Sequence, residues 1–373
     1  MNEVFVAADN IVSPLGFGTS RNFNALKAGK TGVSPHERPE MSEHPFYASL
    51  FDPKLFRNGG RQRFSRFEYM LISSMEDALR ASDIKLQDKG TILIVCSTKG
   101  NIHLLDDEPG SSKAMLSLPG SANVLAFRFS CVHKPIVVSN ACISGLLGMI
   151  TGMRLIRAGL FENAVVTGAD VISRFILSGF DSFQALSPAH CKPFDKDRDG
   201  INLGEGAATV VLSSRAEYNN GLRLRGGSVS NDANHISGPS RTGKELCQTI
   251  ERSLLDAGAA RADIGFISTH GTATSYNDEM EAKAITLAGL NHVPVNSLKG
   301  YYGHTLGAAG LIESIVTLQS IREGIILPSR GFEQNGVTTP LNVTTSLLST
   351  PLTTCLKTAS GFGGCNAAVV MGK

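Results

Sequence analysis

Short runs of β-branched and aliphatic residues alternate along this chain with longer segments whose apolar residues recur every three or four positions. The short runs predict strands at Val4 to Ala7, Ile92 to Cys96, Ile136 to Val138, Ala164 to Val166, Ala208 to Leu212, Phe266 to Ser268, Val293 to Val295 and Ala367 to Met371. From Phe67 to Ala81 the apolar residues Met70, Leu71, Met75 and Leu79 share one face, which predicts an amphipathic helix. The segment Ile143 to Ala158 is apolar nearly all round, so it predicts a helix buried on most of its faces. Such alternation of strand and helix is the pattern of an α/β architecture.

Length sharpens that picture. The chain has 373 residues, whereas single cores stop growing at roughly 250 to 300, so two related halves are expected. Around residues 214 to 226 the composition shifts to charged residues with Asn and Gly turn chemistry, which sets the expected division at 1–214 and 215–373. No short repeat or low-complexity tract is visible.

Charge and cysteine usage exclude several function classes. Lys and Arg total 35 against 33 for Asp and Glu, and the charges are scattered, so no field suited to nucleic acid or a membrane surface emerges. The opening residues MNEVFVAADN lack a basic segment leading into an apolar one, and no apolar run reaches the roughly 18 residues of a membrane span. A soluble cytoplasmic protein is expected. The seven cysteines are odd in number and show no CxxC spacing, which argues for free thiols rather than a disulfide framework or a zinc site.

One cysteine stands out by position. Cys142, in VSNACISGLLGM, follows a predicted strand and opens the buried helix, where unpaired N–H groups and the helix dipole favour a thiolate. Position alone leaves a nucleophile and a packing residue both open. Two histidines have matching context. His270, in STHGTATSYNDE, ends a predicted strand before a helix starting near Asp278, and His304, in VNSLKGYYGHTLGAAG, lies between a strand and a helix with Lys299 five residues before it. All three sit at or just beyond strand C-terminal ends, where α/β sheets gather their catalytic groups.

These three stretches resemble the active-site motifs of the β-ketoacyl-acyl-carrier-protein synthases, elongating condensing enzymes with a Cys-His-His triad. NIVSPLG near the start, KPFDKDRDGINLGEGAATVVL in the middle and SGFGGCNAAVV at the end extend the resemblance over essentially the whole chain. It implies the thiolase-like fold, with two similar halves in a layered αβαβα sandwich. It also implies a decarboxylative condensation of an acyl group on Cys142 with a malonyl thioester, its substrates carried on the phosphopantetheine of an acyl carrier protein, with no bound cofactor and no metal.

The resemblance distributes roles. Backbone N–H groups of Cys142 and Phe362 are expected to form the oxyanion hole, where losing one donor typically costs about 2.7 to 4 kcal/mol. Gly361 and Gly363 would shape that loop. His270 and His304 would hydrogen-bond the malonyl carbonyl, Lys299 would tune or orient His304, and Glu281 would pair with Lys299, with Asp278 as a second supporting acid. Thr272 and Thr274 would bind the pantetheine amides, Phe362 would gate the acyl tunnel, and Arg63, Arg66 and Arg128 would dock the acidic carrier. Dimers are implied, either homodimers or heterodimers with a related subunit. A noncatalytic chain-length subunit and a thiolase acting on coenzyme A thioesters are the competing readings.

Three features mimic other chemistry. DKDRDGINLGEG starts like a calcium loop, but Glu205 falls eleventh where the bidentate acid belongs twelfth; the resemblance implies a structural turn instead, its Asp and Arg side chains pairing with backbone and with each other. GYYGHTLGAAG lacks the spacing of a phosphate loop. Cys365, which could suggest a thiolase base, occupies the small-residue slot after GFGG and is expected to pack.

Overall fold

A computed structural model describes residues 2–56, 64–107 and 110–373. The N-terminal half runs β1 (Phe5–Ser13), α1 (Arg66–Ser82), β2 (Thr91–Cys96), α2 (Leu118–Arg128), β3 (Ile136–Val138), α3 (Ser144–Arg157), β4 (Asn163–Asp170) and β5 (Gly206–Ser213). The C-terminal half repeats the sequence of elements as β6 (Arg223–Asn231), α4 (Lys244–Ala257), β7 (Phe266–Ser268), α5 (Ser275–Leu287), β8 (Pro294–Asn296), α6 (Ala309–Glu323), β9 (Thr354–Gly361) and β10 (Cys365–Gly372).

Strand order shows the duplication that side-chain identities conceal. The N-terminal half orders its strands β3-β2-β4-β5-β1 and the C-terminal half β8-β7-β9-β10-β6. In each half the first three of these pair in parallel and the last two run antiparallel to their neighbours. The two sets meet at the β1–β6 register pair Phe5–Arg223.

Pleating sorts the apolar residues of the large sheet between a central core and two outer ones, while a smaller fourth cluster gathers Phe46, Ile176, Leu203 and Leu306. From β2, Ile92, Ile94 and Cys96 face the central core while Leu93 and Val95 face an outer core against α1. From β10, Ala367, Val369 and Met371 face the same central core while Ala368 and Val370 face the opposite outer core against α4. Helices α3 and α6 fill the centre, so the layers run helix, sheet, helix, sheet, helix as expected. Strands buried on both faces read as continuous apolar runs, which is why the sequence located them.

Boundaries moved where polar residues lie inside strands. The expected Val4–Ala7 continues to Ser13 through buried Asn10, and Ala164–Val166 extends to Asp170, because pairing on both sides overrides the weak propensity of Gly and Asp. Helix α1 begins at a capping box in which the Ser65 hydroxyl accepts from the Glu68 amide while the Glu68 carboxylate accepts from the Ser65 amide.

Contact between α3 and α6 sets the distance between the halves' functional tips. A Cβ at Gly145 would lie 2.7 Å from the Gly307 carbonyl oxygen, and one at Gly310 would lie 2.7 Å from the Leu146 nitrogen. The helices thus touch backbone to backbone near their N-termini, a few residues after Cys142 and His304.

Candidate active site

Cys142 sits on an elbow between β3 and α3. Ala141 before it adopts a left-handed φ of 44°, a conformation costly for a non-glycine residue. The Ser144 hydroxyl holds that turn, donating to the Ala141 carbonyl at 2.6 Å and accepting from the Asn140 amide at 2.8 Å. The thiol is thereby aimed from the helix start into a cavity of about 410 Å³.

Both histidines reach the same cavity from the C-terminal half. The Cys142 sulfur and one ring nitrogen from each of His270 and His304 lie within 4.8 Å of one another. The two rings stand edge to face, centroids 5.1 Å apart at 82°. All three side chains are buried, and among the described residues His270 Nδ1 and both ring nitrogens of His304 have no hydrogen-bond partner in the protein. Orphaned buried polar atoms are costly, so their convergence marks a place for a polar ligand atom.

A dense frame holds His270. The Glu281 carboxylate accepts from the His270 and Gly271 amides, both at 2.8 Å, and from the Thr358 hydroxyl at 2.6 Å. Asp278 accepts from the amides of Thr272, Ala273 and Phe194 at 2.9, 3.1 and 2.7 Å. Burial raises the Asp278 carboxyl to about 6 against the lowering effect of the Phe194 amide. The two acids shape the turn after β7 by its amides.

Lys299 is fully buried and donates to the His270 carbonyl at 2.9 Å, but its carboxylate partner corrects the sequence reading. That partner is Glu313 on α6, not Glu281. Glu281 faces the backbone of the His270 turn, whereas Glu313 projects from the helix packed beneath Lys299. Glu313 also meets a second buried ammonium, Lys357, at 2.6 Å. Sequence reasoning missed Glu313 and Lys357. A lysine within the apolar strand CLKTAS was the available signal for Lys357; Glu313 has none beyond a charge in an apolar helix.

Burial and the nearby ammoniums disfavour positive charge on the two rings. Burial first, then Lys299, the neighbouring His304 and Lys357 hold His270 well below the ordinary imidazole range. Burial, Lys299 and Lys357 do the same to His304. Both rings are therefore neutral near pH 7 and each offers one N–H. Burial pushes the Cys142 thiol up to about 12, Cys365 adding to the rise and Lys299 opposing it. Such burial favours the thiol and opposes the thiolate expected from the helix start. A protonated thiol beside two buried ammoniums also makes a poor cradle for a metal cation, although the Cys-His-His spacing would admit one.

The glycine-rich turn closes the site. A Cβ at Gly361 would come within 2.9 Å of the Cys142 nitrogen, so the β9–β10 turn lies directly against the nucleophile's backbone. Phe362 lines the cavity, stacked on Phe180 at 5.7 Å and edge-on to Phe183 at 5.5 Å. Gly363 points elsewhere, its amide donating to the Ile236 carbonyl at 2.6 Å. Thr272 and Thr274 line the cavity with their hydroxyls 2.8 Å apart. Cys365 is buried with its sulfur 3.4 Å from the Phe362 carbonyl, behind the turn.

The segment resembling a calcium loop braces this region through backbone. Asp195 accepts from the Glu333 and Gln334 amides, both at 2.7 Å, and Arg198 donates to the Asp195 and Gly336 carbonyls. Of the arginines expected to dock a carrier, Arg66 turns inward, 3.4 Å from buried Glu205 and donating to the Ile172 carbonyl. Arg128 pairs with Glu76 at 2.6 Å on the surface, away from the residues lining the cavity. Arg63 lies outside the described residues.

Comparison with known proteins agrees with this geometry. Family models described as the β-ketoacyl synthase N-terminal and C-terminal domains match residues 1–217 and 223–333. A 3-oxoacyl-(acyl-carrier-protein) synthase 2 of Rhizobium meliloti is 28% identical, covering 100% of this chain and 99% of the relative. The tetracenomycin polyketide synthase ketoacyl synthase alpha subunit of Streptomyces glaucescens is 33% identical over 64% of this chain and 59% of its own. A solved structure titled the ishigamide ketosynthase/chain length factor superposes with a TM-score of 0.90 at 26% identity, covering 100% of this chain and 99% of that one. No helix among the described residues is long and apolar enough to cross a membrane. With both domain models matched in order and a Cys-His-His cluster at their junction, the chain belongs to the β-ketoacyl synthase family.

Proposed function

We propose that the chain catalyses a decarboxylative Claisen condensation, joining an acyl group held on Cys142 to a malonyl unit and releasing a β-ketoacyl thioester. The observation that carries this reading is the convergence of one thiol and two neutral imidazoles in a single cavity. A noncatalytic partner subunit has no need of that cluster.

Each half-reaction uses groups in place. In the first, the Cys142 sulfur attacks the incoming thioester carbonyl, its proton leaves with the departing thiol of the carrier arm, and the oxyanion forms beside the Cys142 and Phe362 amides. In the second, the malonyl thioester carbonyl accepts hydrogen bonds from His270 and His304. Carbon dioxide departs, leaving its bonding electron pair as an enolate whose oxygen the two N–H groups stabilise. The enolate carbon then attacks the acyl carbonyl, and the Cys142–acyl bond breaks with the electron pair returning to sulfur, which takes a proton from water to restore the thiol. Neutral imidazoles suit this step, because an imidazolium would hand its proton to the enolate and quench the carbanion.

The substrates are carried on the phosphopantetheine arm of an acyl carrier protein, with no resident cofactor required, and the position of Thr272 and Thr274 on the cavity wall supports a role in bonding its amides. Phe362, wedged between Phe180 and Phe183, gates the acyl chain. The reaction belongs in a reducing compartment, the cytoplasm, where seven free cysteines persist. The protein pairs through β3, the end strand of the sheet, whose Ile136 and Val137 are only half-buried, with itself or with a related subunit. The test is to incubate the purified chain, alone and with a candidate partner subunit, with acyl and malonyl carrier proteins. A β-ketoacyl product supports the reading, and acyl transfer without carbon dioxide release would reject it.

A further inference from the structure

Lys357 has no part in the chemistry above, yet it occupies a place that demands a reason. On β9 it shares a face with Cys355 and Ala359, both members of the central apolar core. An ammonium placed there loses its water and costs several kcal/mol unless fully compensated. It is fully buried, 2.6 Å from Glu313 Oε2, and donates to the Thr269 and Ser268 carbonyls at 2.9 and 3.3 Å. Lys299 takes the other oxygen of Glu313 and the next carbonyl along, that of His270.

The carbonyls of three consecutive residues, Ser268 to His270, therefore rest on two ammoniums tied to one carboxylate. The amides of His270 and Gly271 rest on Glu281 at the opposite side. We propose that Lys357 is a positioning residue for enolate formation, fixing the peptide strap from which the His270 ring enters the cavity and adding a second cation beneath the site. This inference rests on the condensing reading of the same site.

The placement of charge agrees with that role. Lys299 and Lys357 bring two ammoniums against the single carboxylate of Glu313 below the two rings, burial lowering the Lys357 pKa while Glu313 and Glu281 hold it up. The remaining acids facing the strap, Glu281 and Asp278 on α5, are turned to backbone amides. On the Cys142 side the charged neighbours are Lys99 and buried Asp170, which accepts from the Thr98 and Gly307 amides. A methionine would fill the Lys357 site without the desolvation cost. The ammonium of Lys357 favours neutral imidazoles before reaction and an anionic oxygen during it.

Lys357→Met and Lys357→Gln test the proposal through two independent readouts. The first is the midpoint of His270 and His304 titration by NMR with carbon-13 histidine, which needs no turnover. Loss of the charge should raise both midpoints by about one pH unit in either variant. The second is the ratio of malonyl decarboxylation to Cys142 acylation, which should fall about 10-fold or more in Lys357→Met and partly recover in Lys357→Gln, whose amide still donates to the strap. Unmoved midpoints with both half-reactions falling together would reduce Lys357 to a core residue and overturn the proposal. Should neither variant fold, Lys357→Arg, which keeps the cation, should leave both midpoints and the ratio near wild type, and a shift of either midpoint by about one pH unit would contradict the proposal. A wild type that makes no β-ketoacyl product would instead sink the condensing reading, with the titration still judging the charge.

Discussion

At the tip of β3 the N-terminal half turns into α3 through Cys142, and at the tip of β8 the C-terminal half turns into α6 through His304. The two junctions are topologically equivalent, since strand order and direction match in both halves. Their polar surroundings differ sharply. Near Cys142 the elbow is held by one hydroxyl, Ser144, and a strained Ala141. Around the histidines five buried charges, Asp278, Glu281, Lys299, Glu313 and Lys357, brace one strap of backbone. On the proposed reading a duplicated scaffold supplies a nucleophile from one half and a carbanion site from the other, and the difference lies in what each strand end carries.

The largest break in that comparison comes from removing the nucleophile. Cys142→Ala should lower β-ketoacyl formation on the order of 10³-fold or more while thermal unfolding stays cooperative; product measured by mass spectrometry at wild-type rate would reject its role. On the other half, His304→Ala should slow malonyl decarboxylation by about 10² to 10³ and acyl loading by much less. Equal loss in both half-reactions would show that the halves do not divide the chemistry.

A smaller effect tests the contact that brings the halves together. Gly145→Val and Gly310→Val each drive a side chain into backbone of the opposing helix and should destabilise by about 1–3 kcal/mol in urea unfolding. If either variant were as stable as wild type, the helix crossing would not be as close as described.

The smallest effect concerns acid. His270 and His304 stay neutral in the folded protein below their ordinary range, as does His103 of the N-terminal half, held near about 3 by burial and Arg66. Between the folded values and ~6.5 the unfolded chain binds more protons, so stability is fully present above ~6.5 and falls as pH drops, by up to ~1.4 kcal/mol per histidine per pH unit. Urea midpoints at pH 7.5, 6.5 and 5.5 on wild type and His304→Gln check this, and the variant should show the shallower slope.

How much was legible in sequence follows the same division. Strands buried on both faces and the all-round apolar α3 announced themselves, as did Cys142, His270 and His304, because each sits beside a strand end in a distinctive motif. Pairings across the fold did not. Glu281 was expected beside Lys299, but nothing in linear order distinguishes it from Glu313, which comes fourteen residues after Lys299 on the next helix. Arg66 read as a surface cation because its partner Glu205 lies far along the chain. The helix start that favours a Cys142 thiolate is visible in sequence, while the burial that opposes it is not.

Mass spectrometry of the Cys142 peptide, after incubation with a carrier-bound acyl donor and then with malonyl carrier protein, tests the division of labour between the halves most directly. The acyl mass should appear on Cys142 with the donor alone and vanish when malonyl carrier is added, as carbon dioxide and β-ketoacyl product form in equal amounts. An acyl group found on Cys365 instead, or one on Cys142 that persists through product formation, would contradict it.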